Sequence, residues 1–343
     1  MSTIYAEATL AQQYKVKKDG EVTGGPVYYI RAAFKGTFGK ALAAIFAILI
    51  VLALGFTGNM VQSNSIGAAF SEVFSARNIE IPSIVFGLIL AAVIGFIFLG
   101  GVNRLASVVE KIVPIMAGIY IVGSLVLILM NITALPGAIK MIFVGAFNPE
   151  AVVGAGAGIA VREAIRFGVA RGLFSNEAGM GSTPHAHARA KVENPHKQGL
   201  AAMISVFIDT FIILNLTVFS ILTTGVLDSG KEGTALTQAA FTKGFGNFGD
   251  IFVAVCLLFF AFSTILGWHF FGEVNVKYLF GEKAAKFYSI LVIGFVIVGS
   301  TLKVQLVWSL SDFFNGLMVI PNAIALWALS GVVVKICKQY GKK

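Results

Sequence analysis

The residues of this chain most able to do chemistry stand inside apolar runs. Asp209 lies ten residues into one of them, in Phe207-Ile208-Asp209-Thr210. A carboxylate there costs a few kcal/mol or more, so it either carries a coupling ion or proton or fixes neighbouring helices by hydrogen bonds. Asp312, nearer the outer end of its run, reads as hydrated and structural. Ser263 and Thr264 put two adjacent hydroxyls in mid-run. With backbone carbonyls they would suit Na⁺, a hard cation that takes oxygen ligands; alternatively they bond back to the carbonyls one turn earlier. Trp268 follows one turn after Thr264, shares its face and could wall a small pocket. Asn59, Gln62 and Ser63 recur at i, i+3 and i+4 and so occupy one helical face. That face either lines a polar cavity or holds helices together.

The most informative stretch is 172–182, Gly172-Leu173-Phe174-Ser175-Asn176-Glu177-Ala178-Gly179-Met180-Gly181-Ser182. It is rich in Gly and Ser and ends an otherwise helical run. Unwound backbone at membrane depth offers free N–H and C=O groups, and half-helix ends add partial charge for ions and carboxylates. The same composition also suits an ordinary cytoplasmic loop. Three patterns are set aside. Gly244, Gly246 and Gly249 match a dinucleotide fingerprint, but no strand precedes them. His185 and His187, with His196 beyond, lack cysteines or carboxylates at metal-ligand spacing and read as a solvated loop. No nucleophile elbow or catalytic dyad is present, so no enzyme is indicated.

These residues need spanning helices to place them. Of 343 residues, 57% are apolar and 13% charged, against about 45–50% and about 25% in soluble domains. Apolar runs at 41–65, 81–100, 112–133, 149–170, 200–226, 251–271, 286–302 and 304–336 give an all-α integral membrane protein of eight spans. The last run would be about 50 Å long as one helix. It is expected to be a single helix, kinked at Ile320-Pro321 and running into the cytoplasm. Lys and Arg gather on one side: Lys15, Lys17 and Lys18, then Arg171, Arg189 and Lys191, then Lys277 and Lys283, and last Lys335 and Lys338. Both termini are therefore expected in the cytoplasm, and the net charge of +9 records topology rather than nucleic-acid binding. Glycine, at 38 of 343 residues, exceeds the usual share of about 7% and favours close helix packing, as at Gly154, Gly156 and Gly158. Cys256 and Cys337, both in apolar segments, exclude a disulfide scaffold.

From Gly172 to His187 the chain resembles the signature stretch of the alanine or glycine:cation symporter family. Similar matches follow its length: Gly24-Gly25-Pro26, Gly58-Asn59-Met60-Val61-Gln62-Ser63-Asn64-Ser65, Phe207 to Thr210, Ala261 to Trp268, and Asn315 to Asn322. The resemblance implies a leucine-transporter-type fold, two inverted five-helix repeats with substrate and sodium at broken first and sixth helices. The eight spans would be helices three to ten of that core. Phe174, Ser175 and Asn176 would then belong to the broken sixth helix and touch the amino acid. Trp268 would limit pocket size, and Gln62 would reach the substrate. Ser263 and Thr264 would ligate sodium.

Relative to that family the chain is expected to be N-terminally truncated, residues 1–8 resembling the end of the second helix. Residues 1–40 are then a cytoplasmic N-terminal segment, 41–336 the transporter domain and 337–343 a cytoplasmic tail. The expected function is sodium-coupled symport of alanine or glycine across the plasma membrane, in bacteria the inner membrane. Na⁺ is the expected coupling ion, with H⁺ the alternative through Asp209. A small amino acid and the lipid bilayer are the expected partners. The alternative reading is a transport-inactive remnant of such a symporter.

Overall fold

The computed structural model describes residues 1–18, 20–98, 101–147 and 155–341. The chain opens with α1 (Ser2–Gln13) and a two-stranded antiparallel hairpin, β1 (Val16–Lys18) and β2 (Glu21–Thr23), with Val16 opposite Thr23. α2 (Pro26–Ala33) starts on proline, whose fixed φ suits a first helical turn. α3 (Gly36–Ile50) passes through a π-helical stretch, Val51–Gly58, into α4 (Asn59–Ser75). Then come α5 (Ser83–Phe98), α6 (Gly101–Met130) and the short α7 (Leu135–Phe147). α8 (Ala155–Asn176) and α9 (Pro184–Arg189) flank a break. α10 (Pro195–Phe207) continues through a second π-helical stretch, Ile208–Ile213, into α11 (Leu214–Thr224). The chain ends with α12 (Gly233–Phe245), α13 (Gly249–Phe280), α14 (Glu282–Thr301), α15 (Val304–Ala328) and α16 (Ser330–Tyr340).

Among the described residues, six helical stretches are long and apolar enough to cross a membrane: Gly36–Ser75, Ser107–Met130, Pro195–Thr224, Gly233–Phe280, Glu282–Thr301 and Val304–Ala328. The expected span 81–100 appears as the shorter Ser83–Phe98, and 149–170 falls on α8. The start of that span, 149–154 with Gly154, lies outside the described residues, as do 99 and 100.

α13 is the hub, packed against α3, α4, α6, α12 and α14 and against Val51–Gly58. Lipid tails are as apolar as leucine, so membrane helices associate by close packing rather than by hiding apolar surface. Gly58 shows this directly: a Cβ there would lie 2.7 Å from Cε3 and Cζ3 of Trp268. The faces turned outward carry Ile115, Ile119, Val122 and Leu129 on α6 and Phe207 and Phe211 beside the second π-helical stretch, all exposed.

The first helix belongs to the packed body: Ile4 and Ala8 cluster with Ala202 and Val206, and Glu7, Thr9 and Gln12 are buried with them. One expectation changes. The last apolar run is two helices, not one. α15 carries Pro321 inside it and stops at Leu329, and α16 then packs against α1 and α10. Proline is tolerated in a membrane helix whose neighbours satisfy the freed backbone, whereas the backbone leaves helical geometry at Leu329, φ −99° and ψ 7°.

Candidate functional site at a broken helix

α8 stops at Asn176 and helix resumes at Pro184. Between them Glu177, Gly179 and Gly181 take φ values of 53°, 98° and 82°. Glycine occupies that region freely, while a residue with a Cβ does so at roughly 1–2 kcal/mol. The break lies beside the interior of α13 and α15, because it bonds Trp268 and Asn322. At that depth freed backbone groups need protein partners, and they have them. Gly179 and Gly181 donate their N–H groups to Glu7, at 2.7 and 2.8 Å. The Gly179 carbonyl accepts from Asn322 Nδ2 at 2.9 Å. The same Nδ2 donates to Glu7 at 2.7 Å, and Tyr29 donates its hydroxyl to Asn322 Oδ1. Glu7 is fully buried. Burial pushes its carboxyl up to about 7, against the opposing pull of these hydrogen bonds.

Past the break, His185 is buried rather than solvated. Its Nδ1–H donates to the Ser182 carbonyl at 2.6 Å, and Nε2 accepts from Asn275 at 2.8 Å. Its ring lies between Phe46 and Phe271. Burial holds it down at about 4, so the ring is neutral near pH 7 and serves as a fastener. His187 likewise sits at about 4 through burial and accepts from Gln198 at 2.8 Å.

On the other side of the break an aromatic wall forms. Phe174 meets Trp268 edge-on, with centroids 5.2 Å apart, and Trp308 at 4.9 Å. Trp268 is buried and donates Nε1–H to Glu177 Oε1 at 2.7 Å, while Ser182 donates its hydroxyl to Glu177 Oε2. Arg171 stacks on Trp308, its Cζ 3.9 Å from the ring, and grips Asp312 bidentately at 2.6 and 2.9 Å. Asp312 is therefore ion-paired rather than simply hydrated. The pair puts it at the same depth as Arg171, whose place among the Lys and Arg of one side implies the cytoplasmic end. Between α8 and α15 lies a cleft of about 430 Å³ lined by Leu173, Phe174, Met180, Asp312, Asn315 and Val319, among others. Asn315 Oδ1 has no hydrogen-bond partner among the described residues.

The structure brings some expected site residues together and separates others. Phe174 and Trp268 meet. Ser175 turns instead to Asp209, its hydroxyl 2.9 Å from both carboxylate oxygens. Asn176 faces Thr210 at 3.4 Å and accepts from the Ala178 N–H at 3.0 Å. Gln62 is half-buried on α4, next to Met60 and Val61, which pack with Phe174 and Trp308. Its companions Asn59 and Ser63 bond backbone carbonyls of their own stretch, Gly55 and Met60. Ser263 and Thr264 both donate to the Phe260 carbonyl at 2.9 Å. Glu7, Glu177 and Asn322 hold the break together and are not among the site residues expected from the sequence. The available signals were a lone carboxylate in Tyr5-Ala6-Glu7-Ala8, an acidic residue within the Gly/Ser stretch, and an amide directly after Pro321.

Comparison with known proteins follows the whole chain. Residues 1–343 match the model of the sodium:alanine symporter family. The amino-acid carrier protein AlsT of Bacillus subtilis is 42% identical over 344 residues, covering 100% of this chain and 71% of that protein. The probable sodium/glutamine symporter GlnT of the same organism is 41% identical over 341 residues, covering 99% and 69%. The sodium/alanine symporter AgcS of Methanococcus maripaludis is 38% identical over 348 residues, covering 100% and 75%.

Proposed function

We infer the function from one premise: this chain belongs to the sodium:alanine symporter family. It is a multi-pass helical membrane protein of a family that couples transport to sodium, and its relatives are named as transporters rather than enzymes. For this chain we propose symport of alanine or glycine with Na⁺ across the plasma membrane. The proposed arrangement is a leucine-transporter-type bundle of eight spans with both termini in the cytoplasm, which the one-sided placement of Lys and Arg supports.

The observation that carries this reading is the helix broken at 177–183 beside an aromatic wall. In it, Phe174 and Trp268 close one side of the substrate site and limit side-chain size. Gln62 approaches from α4, and Ser175 and Asn176 belong to the end of α8 that meets the amino acid. Asn315 lines the adjoining cleft, and its buried Oδ1 has no hydrogen-bond partner among the described residues. Ser263 and Thr264 are proposed as sodium ligands. A hydroxyl that donates to a carbonyl keeps its own lone pairs, so their bonds to Phe260 leave both oxygens available to a cation. Asp209 is the proposed carrier if protons replace sodium. A relative named for glutamine, at 41% identity, makes side-chain size the property that this wall has to set.

Uptake of labelled alanine by proteoliposomes tests the reading. Accumulation that requires an inward sodium gradient is expected. Accumulation driven equally by a proton gradient alone would move the coupling to Asp209. No uptake from folded protein would overturn the reading.

A further inference from the structure

We propose that Glu177 is a specificity-positioning residue: its carboxylate fixes the Trp268 indole and thereby sets the largest side chain that the site admits. The proposal rests on the reading that Trp268 lines the substrate site. The indole is confined on two sides by packing. Gly58 lies so close that any Cβ there would reach 2.7 Å from its ring carbons, and Phe174 abuts it edge to face. Neither contact fixes rotation of the ring in its own plane. The Nε1–H bond to Glu177 Oε1 at 2.7 Å does.

The carboxylate is itself aimed. Ser182 holds its other oxygen, and Glu177 Oε1 lies on the first residue after α8, where the backbone turns left-handed at φ 53°. Glycine follows at 179 and 181, yet this first position keeps a side chain in a conformation that glycine would adopt without strain. Such outliers persist where the surroundings enforce them. Here the enforcement is a side chain that bridges the two ends of the break, Ser182 and the helix end, to one indole on α13. The wall therefore moves with the break. Any change in the broken helix that displaces Glu177 displaces Trp268, so pocket size and the state of the break are one variable.

The test is competition by unlabelled leucine and alanine against labelled alanine uptake, read as the ratio of their half-inhibiting concentrations. Trp268→Leu should lower the leucine-to-alanine ratio about tenfold, within the range that one or two methylenes command in an apolar pocket. Glu177→Ala should lower it toward the same value, and the double variant should lower it no further than Trp268→Leu alone. Glu177→Gln keeps an oxygen for the indole, and the Ser182 hydroxyl can turn to accept from the new amide, so discrimination should be retained. Ser182→Ala should shift the ratio in the same direction by less, and it serves if Glu177→Ala does not fold. A shifted ratio in Trp268→Leu with unchanged ratios in Glu177→Ala and Ser182→Ala overturns the proposal. An unchanged ratio in Trp268→Leu overturns the reading beneath it. A readout without transport is acrylamide quenching of Trp268 in protein carrying Trp308→Phe and Trp327→Phe. Quenching should rise with Glu177→Ala and not with Glu177→Gln, and equal quenching in all three contradicts the tether.

Discussion

The break at 177–183 and the Ser263-Thr264 turn both place polar groups beside the interior of membrane-length helices, and they satisfy those groups in opposite ways. The break has left the helix, so its amides and carbonyls are held by Glu7 from α1 and Asn322 from α15, with Trp268 from α13 tied to Glu177. The Ser263-Thr264 turn stays helical, and its two hydroxyls share one carbonyl four or fewer residues away. The first arrangement is held by distant elements and cannot be altered locally without exposing unsatisfied groups. The second is satisfied chiefly within its own helix, Ser263 Oγ adding a 3.9 Å contact to Met116 Sδ of α6. Polar groups held by tertiary partners and polar groups held within one helix are thus divided between two helices that meet at Trp268.

The sharpest way to break this contrast is Glu7→Ala. It strands two buried backbone N–H groups and one of the two Asn322 amide hydrogens, at about 1–3 kcal/mol each, so the melting temperature of the detergent-solubilised protein should collapse or no folded protein should be recovered. Glu7 also gives a pH signature. Its folded-state value of about 7 lies above the ordinary 4.5, so folding favours the protonated form. The stability associated with that proton should be fully present below about pH 4.5, fall as pH rises to about 7, and level off above. Melting measured from pH 4.5 to pH 8 should show this fall in the native chain, and Glu7→Gln should flatten it. A flat native profile would mean that Glu7 is not buried as described.

Thr264→Ala should do the reverse, raising the sodium concentration for half-maximal uptake several-fold while changing stability by less than about 0.5 kcal/mol, as expected for a self-satisfied hydroxyl. Large destabilisation with unchanged sodium dependence would erase the distinction between the two regions. A smaller effect is expected at the Arg171–Asp312 pair, whose side chains are both about one-third exposed. A double-mutant cycle with Arg171→Ala and Asp312→Ala should give a coupling of about 1 kcal/mol, the upper end for solvent-accessible pairs. Ser175→Ala should matter least to stability, since it removes one donor from the half-buried Asp209 at an exposed position; thermal melting should change by no more than a degree or two.

Much of the architecture was legible in the sequence because apolar length is a local property. The stretches now seen as Gly36–Ser75, Pro195–Thr224 and Glu282–Thr301 announced themselves that way. The break was legible too, since Gly179, Gly181 and Ser182 weaken helix wherever they stand. What holds the break was not. Glu7 acts on residues more than 170 positions away, and nothing in Tyr5-Ala6-Glu7-Ala8 says which amides it will meet. Hydropathy places Arg171 and Asp312 at opposite ends of their runs, whereas their pairing depends on how α8 crosses α15. The turn at Leu329 was overlooked for Pro321, because proline is a strong breaker in water and a tolerated residue among membrane helices.

The central claim is that the amino acid binds against Trp268 at the broken helix, with sodium required. The most direct measurement is emission from Trp268 as the sole tryptophan, with Trp308→Phe and Trp327→Phe in a transport-competent chain, titrated with alanine in the presence and absence of sodium. The account predicts a saturable change in emission that appears only with sodium and follows the concentration dependence of uptake. Sodium-driven uptake with Trp268 emission unmoved by alanine would place the substrate elsewhere and contradict the account.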